Sequence, residues 1–284
     1  MKKLDIILQG PYTNFTDEVI ESYLNLDFIN KIIISCWQGD VISTNKTGET
    51  TVKNKEEPYQ HQKVECVKSV NDLYYSGVLN VNYQLKTSLA GLQRSNQTLC
   101  AMMRSDTVFT LDSMKILYDF LIENIESNNN SLSLPKGKIF ILGNNIRYLF
   151  HPRNWIFWGY REDLLKLFDI PYQVNEECMK NNINKDVLYY HGEYFRICYR
   201  PETYKGANYC ARYDSRVAKM IESPELYLYD DCPNRSESHA VSLEVMPKLF
   251  KSFPKTGIDY SCPKNNIMHR QPVPFEEVYH EDGM

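Results

Sequence analysis

The chain has 284 residues, 43% of them hydrophobic and 24% charged, enough for one large α/β domain with a full core and unlike an intrinsically disordered chain. A formal net charge of −4 gives no global pull toward nucleic acid or an anionic membrane, so any phosphate must be met by a local site. Eight cysteines without a CxxC pair fit free thiols in a reducing cytosol better than a disulfide scaffold.

The apolar run that follows Met1-Lys2-Lys3 ends at Gln9, too short for a signal peptide or a membrane span. No later stretch approaches the roughly 20 apolar residues of a spanning helix. The expectation is a cytoplasmic protein with no transmembrane segment, in peripheral contact with the cytosolic membrane face at most.

Residues 4 to 9 read as a strand buried on both faces that stops at Gly10-Pro11. Thr16 is placed to cap a helix from Asp17 whose apolar side is Val19, Ile20, Tyr23 and Leu24, and Lys31 to Trp37 reads as a second buried strand. Strand, helix, strand is the start of a Rossmann-like sheet. Residues 39 to 63 lack periodicity and predict an irregular loop, with a ragged third strand near Lys63 to Val67.

Asn82 to Ser95 sets Leu85, Leu89 and Leu92 on one helical face, and Thr98 to Met103 is an apolar strand running into Arg104-Ser105-Asp106. Asp112 is placed to cap a helix that buries Met114, Leu117 and Leu121 and runs out in the Ser/Asn-rich segment at 127 to 131. Lys138 to Leu142 and Trp155 to Trp158 read as strands, and Arg161 to Phe168 as a helix stopped before Pro171. Beyond about residue 172 the pattern weakens into Tyr-, Asn- and Pro-rich segments and predicts an irregular C-terminal part. No repeat or linker marks a boundary, so a single domain is expected.

The strongest local chemical signal is Arg104-Ser105-Asp106, because open α/β sheets bind ligands at the carboxyl ends of their strands. A departing diphosphate must be neutralised, and a hard divalent ion held by one or two carboxylates does this, which makes Asp106 a candidate metal ligand. Arg104 is a candidate phosphate partner. Trp155 and Phe157 should share one strand face and Trp158 the other, so one side at most can stack on a sugar; His151 precedes them as a candidate ligand or proton donor.

Taken in order, these features resemble the WavE-like lipopolysaccharide-synthesis family, a GT-A-type glycosyltransferase family. The resemblance rests on Gln9-Gly10-Pro11, Ser35-Cys36-Trp37, the Asn-rich helix start Asn80-Val81-Asn82-Tyr83-Gln84, Arg104-Ser105-Asp106, Trp155-Ile156-Phe157-Trp158-Gly159 and Leu167-Phe168-Asp169-Ile170-Pro171. These span roughly residues 5 to 171; Pro201-Glu202-Thr203-Tyr204 and Phe275-Glu276-Glu277-Val278-Tyr279 extend them.

The resemblance implies a GT-A-like, Rossmann-type mixed sheet flanked by helices, with residues 1–110 as the nucleotide-sugar half and 111–284 as the acceptor half. It implies transfer of a sugar from a nucleotide-diphosphate sugar to a cell-surface polysaccharide, lipopolysaccharide or lipid-linked glycan acceptor, with Mn²⁺ or Mg²⁺ as cofactor. Gln9, Gly10, Pro11, Trp37, Asn82, Gln84, Arg104, Ser105 and Asp106 would meet the donor, Gly10 by permitting close backbone approach. Trp155, Trp158 and His151 would meet the acceptor. The order of elements implies a base in the second half of the chain: Glu202 first, then Glu193 and Asp163.

Two departures stand out. The family usually has Arg where this chain has Tyr83, and the strand-end motif offers one acid where GT-A enzymes commonly carry two. They leave open an alternative, a catalytically degenerate glycan- or nucleotide-binding protein on the same fold. A nucleotidyl- or methyltransferase is disfavoured because no GxGxxG loop follows the first strand.

Overall fold

A computed structural model of the chain describes residues 1–39, 41–45, 48–52, 54–70, 72–73, 81–125, 134–143, 148–152, 156–173, 200–229, 231–254 and 256–261. Largely apolar runs form the central strands β1 (Leu4–Gln9), β2 (Ile29–Trp37) and β6 (Leu99–Arg104), as burial on both faces requires, while the more polar β5 (Val64–Ser69) closes the edge of the sheet. They are joined by α1 (Asn14–Tyr23) and α2 (Val81–Arg94). Residues read as an irregular loop contain an antiparallel hairpin, β3 (Val41–Asn45) with β4 (Gly48–Val52).

After β7 (Val108–Phe109) and α3 (Leu111–Asn124) come β8 (Ile139–Ile141), β9 (Ile156–Tyr160) and α4 (Arg161–Phe168). The expectation of an irregular C-terminal part is corrected over 201–249, which forms α5 (Pro201–Ala211), α6 (Ser215–Glu222), α7 (Pro224–Tyr227) and α8 (Arg235–Leu249). β10 (Phe250–Ser252) and β11 (Tyr260–Ser261) follow.

The main sheet has seven strands in the order β10-β8-β9-β6-β1-β2-β5. Every neighbouring pair is parallel except those involving β9, which runs against both β6 and β8. The fold is therefore α/β with a mixed sheet, and strands from both halves of the chain share it. Alternation along the strands feeds two cores. Ile7, Ile33, Met102 and Phe157 point to the side covered by α2, α4, α5 and α8. Ile6, Leu8, Ile32, Ile34, Met103 and Trp158 point to the side covered by α1 and α3.

Two helix starts differ from the expectation. Thr13 is the N-cap of α1, and Thr16 is its reciprocal partner, accepting from the Thr13 N–H at 3.1 Å. Thr110, not Asp112, caps α3, its hydroxyl accepting from the Ser113 N–H at 3.2 Å. Asp112 lies in the first turn, where its charge suits the helix dipole. Among the described residues no helix is long and apolar enough to cross a membrane.

Candidate active site

From β1 the chain steps outward to β2 and β5, then returns to place β6 on the other side of β1. The order reverses between β1 and β6, and the crevice outside the carboxyl ends of strands at such a switch is where α/β sheets take ligands. Gln9 and Arg104, in register across this pair, are the last residues of their strands. The sequence motifs Gln9-Gly10-Pro11 and Arg104-Ser105-Asp106 thus meet at one edge.

They meet tightly. Gly10 has φ +136, and a Cβ there would lie 2.5 Å from the Ser105 hydroxyl, so the close approach Gly10 permits is to Ser105. Ser105 is buried; its hydroxyl donates to the Pro11 carbonyl at 2.8 Å and its N–H to the Gln9 carbonyl at 2.9 Å. Expected at the donor, Ser105 instead ties the two strand-end loops together, because its short hydroxyl finds backbone partners inside the turn.

Arg104 and Asp106 form a bidentate pair, Nε to Oδ1 at 2.8 Å and Nη2 to Oδ2 at 2.6 Å, both side chains about a quarter exposed. Next to them the first turns of α2 present polar groups. The Gln9 side-chain amide donates to the Thr87 hydroxyl at 3.0 Å. Trp37, at the end of β2, packs its ring 4.7 Å from that of Tyr83, with the Lys86 ammonium 5.7 Å from the Trp37 ring. Asn82 is buried and exchanges two hydrogen bonds with the backbone of Gln173, at 2.9 and 2.7 Å. It pins the chain after α4 to the start of α2.

α5 brings the second half of the chain to the same edge. Its close packing depends on Gly206, where a Cβ would sit 1.9 Å from the Phe150 carbonyl oxygen. Phe150 itself adopts φ 46, a left-handed conformation unusual for a bulky residue, with its N–H held by the Ser242 hydroxyl at 2.9 Å. This fixes His151 against α5, its Nε2 3.5 Å from the Glu202 carboxylate, while among the described residues the buried Nδ1 has no partner. Burial pushes the Glu202 carboxyl up, but the hydrogen bond and charge of His151 and the charge of Lys205 together bring it down to about 2.

Lys205, one turn along α5 from Glu202, is only 1% exposed. Its ammonium donates to the Gln84 side-chain oxygen at 3.1 Å, and burial lowers its pKa, the charge of Glu202 opposing and that of Arg104 adding to the effect. Sequence reasoning missed this residue. The available signal was a lysine three positions after Glu202, which on a helix shares its face, inside the otherwise small or aromatic run Tyr204 to Ala207.

Other expected residues fall elsewhere. Tyr160, at the end of β9, lies opposite Leu99, at the start of β6, so α4 begins at the edge of the sheet remote from Arg104. Asp163 sits there, fully buried, accepting from the N–H groups of Lys136 and Gly137 at 3.0 and 2.8 Å. This carboxylate is a backbone staple, because burial beside two unpaired N–H groups fixes it in place. Trp158 is likewise fully buried, its ring edge-on to Phe253 at 5.6 Å; strand alternation turns it into the core and away from any acceptor. Trp155, Glu193 and the 275–279 tail lie outside the described residues.

The donor set around Asp106 can be tested against a divalent ion. Both carboxylate oxygens are engaged by a guanidinium, and among the described residues no three His, Cys, Asp or Glu side chains converge. The other nearby charge that reaches the motif from α5 is the cation Lys205. Among the described residues, the donor set at Asp106 is a single carboxylate already paired with a guanidinium and bordered by a cation, a poor match for a resident Mn²⁺ or Mg²⁺.

The family description "WavE lipopolysaccharide synthesis" matches residues 8–198, more than half of the chain. The chain belongs to the WavE lipopolysaccharide synthesis family. The WavE match takes in both strand-end motifs and His151, and stops before α5, which carries Glu202 and Lys205. No curated protein matches the chain.

Among solved structures the WavE chain is similar to the glycosyltransferase GlyE of Streptococcus pneumoniae TIGR4, at 10% identity and a TM-score of 0.36, covering 98% of this chain and 59% of that one. It is also similar to the 1–349 segment of S. aureus TarS, at 10% identity and a TM-score of 0.30, covering 95% and 100%. A third is CMP:2-keto-3-deoxy-manno-octonic acid synthetase complexed with CTP, at 9% identity and a TM-score of 0.32, covering 65% and 85%.

Proposed function

We propose that the protein is a GT-A-type glycosyltransferase that moves a sugar from a nucleotide-diphosphate sugar to a cell-surface polysaccharide, lipopolysaccharide or lipid-linked glycan acceptor on the cytosolic side of the membrane. The observation that carries this reading is the meeting of Gln9-Gly10-Pro11 and Arg104-Ser105-Asp106 at the switch between β1 and β6, with α5 brought to the same edge. Membership of the WavE family supplies the chemical context.

In this reading the donor lies over the ends of β1 and β6. Trp37 and Tyr83 offer an aromatic wall for the base, and Gln9 and Gln84 border the ribose or diphosphate. Arg104 turns from Asp106 toward phosphate, a change between two charge-assisted partners. Asp106 holds the guanidinium at the strand end until the donor arrives.

The acceptor is activated by the pair Glu202 and His151. Near 2, Glu202 is ionised across the physiological range and open to the acceptor's proton, while His151 and Lys205 hold its charge in place. The left-handed Phe150 and the close approach at Gly206 fix this pair; strain of that kind concentrates where geometry is functional.

The Arg104–Asp106 pair also favours the alternative, a protein that binds nucleotide sugars without turning them over, because it leaves no open carboxylate at the strand end. Incubating the purified protein with UDP-, GDP- and CMP-sugars and following the nucleotide product by mass spectrometry separates the two. Release of nucleotide from one donor, falling steeply in Arg104→Ala, supports transfer. Thermal stabilisation by a donor with no release would replace it with the binding reading, and neither effect from any donor would overturn both.

A further inference from the structure

Lys205 is an expensive residue for the fold to carry. An ammonium taken out of water loses its hydration, and proteins compensate by pairing it with a carboxylate in direct hydrogen-bond contact. Here the two nearby carboxylates have their own partners: Asp106 is held in the Arg104 fork, and Glu202 faces His151. The hydrogen-bond partner of Lys205 is the neutral amide oxygen of Gln84. Its charge is felt by Glu202 and Arg104, the ammonium lies 5.9 Å from the Phe157 ring, and among the described residues one of its three N–H donors has a hydrogen-bond acceptor. A buried cation with donors in reserve, bordered by a second cation at a strand-end crevice, is a site arranged for an anion.

Resting on the transferase reading above, we propose that Lys205, with Arg104, takes up the negative charge of the departing nucleoside diphosphate, the task a divalent ion on Asp106 was expected to perform. In the transfer step the bond from the anomeric carbon to the β-phosphate oxygen breaks, and its electron pair stays on that oxygen. The acceptor hydroxyl oxygen forms the new bond to the anomeric carbon, and its proton leaves to the Glu202 carboxylate and from there to solvent. Lys205 remains an ammonium throughout. It donates hydrogen bonds to the phosphate oxygens as they gain charge, from a place where water competes little.

This assignment has a signature that a structural lysine lacks. Lys205 also serves the fold through Gln84 and the charge of Glu202, so its removal is free to lower the melting temperature, but a lysine that served the fold alone would leave the stabilisation by a diphosphate unchanged. The test uses Lys205→Met, with Lys205→Gln as a second variant, measured for melting temperature with and without UDP or GDP in the presence of EDTA, and for turnover of the active nucleotide sugar.

The expected result is a wild-type protein stabilised by the diphosphate in EDTA, and variants that fold, lose that stabilisation, and turn over about 10² to 10³-fold more slowly. Variants that keep the stabilisation and turn over within about twofold of wild type would overturn the role of Lys205 while leaving the transferase reading intact. So would a wild-type shift abolished by EDTA and restored by Mn²⁺, or failure of both variants to fold. A wild-type protein that neither binds a nucleoside diphosphate nor turns over any donor would overturn the transferase reading first, and this assignment with it.

Discussion

Substituting Gly10 by alanine perturbs the crevice where β1 turns away from β6. At φ +136 an L side chain is strained, at a cost on the order of 1–3 kcal/mol. The added Cβ also meets the Ser105 hydroxyl at 2.5 Å, so that hydroxyl must swing away and give up its 2.8 Å bond to the Pro11 carbonyl, about 1 kcal/mol more. Gly10→Ala should therefore cost about 2–4 kcal/mol. In a Ser105→Ala background the hydroxyl is gone and the nearest remaining atom is the residue 105 Cβ at 3.6 Å, an ordinary contact. Only the backbone cost survives there.

Urea unfolding of the wild type, the two single variants and the double variant gives the coupling between the sites. The predicted value is about 1 kcal/mol in favour of the double variant, above the roughly 0.5 kcal/mol scatter of independent sites. If Gly10→Ala costs the same in both backgrounds, the contact between the strand-end loops is not as described.

Asp163→Ala leaves the N–H groups of Lys136 and Gly137 unpaired in a buried place, and should destabilise the fold by about 2–5 kcal/mol. Since Asp163 lies at the opposite edge of the sheet, turnover per folded molecule should not change; a selective loss of turnover would restore it to the site. Glu202 drops from 4.5 to about 2 on folding, worth about 3 kcal/mol at 1.36 kcal/mol per unit. A depressed carboxylate contributes stability above its unfolded value and loses it as pH falls toward its folded value. The stability gap between wild type and Glu202→Gln, read by urea unfolding, should thus narrow from about 3 kcal/mol at pH 7 to roughly half that near pH 3. A gap that stays constant on acidification contradicts the paired state of Glu202.

What the sequence reveals of this fold follows where burial is simple. β1 is read to the residue because both its faces are covered, so its apolar residues run close together, interrupted only by the buried Asp5, up to Gln9 and the glycine after it. α4 is bounded correctly because its apolar positions keep helical spacing and Pro171 follows closely. The C-terminal helices are hidden because their buried faces are not uniformly apolar. α8 buries Ser238 and Ser242 alongside Val241, Val245 and Met246 and carries Pro247, so no apolar stripe marks it.

The site divides in the same way. The strand-end motifs are visible because ligands in α/β sheets tend to meet the carboxyl ends of strands, and Trp158 and Phe157 face opposite sides, as alternation requires. Which groups serve the fold is not visible. Ser105, Asn82 and Asp163 are polar residues in plausible places, and only the geometry shows their hydrogen bonds closing onto backbone. The meeting of His151 with Glu202, and of Lys205 with Gln84, depends on how α5 docks, and that is fixed by the close approach at Gly206.

The most direct test of the account is a crystal structure of the protein with the nucleoside diphosphate product of its donor. The diphosphate should lie beyond the carboxyl ends of β1 and β6, with its oxygens within hydrogen-bond distance of Arg104 and Lys205 and the base near Trp37 and Tyr83. A nucleotide bound at the α4 edge of the sheet, or one at the strand ends with Arg104 still locked to Asp106 and Lys205 out of reach, would contradict it.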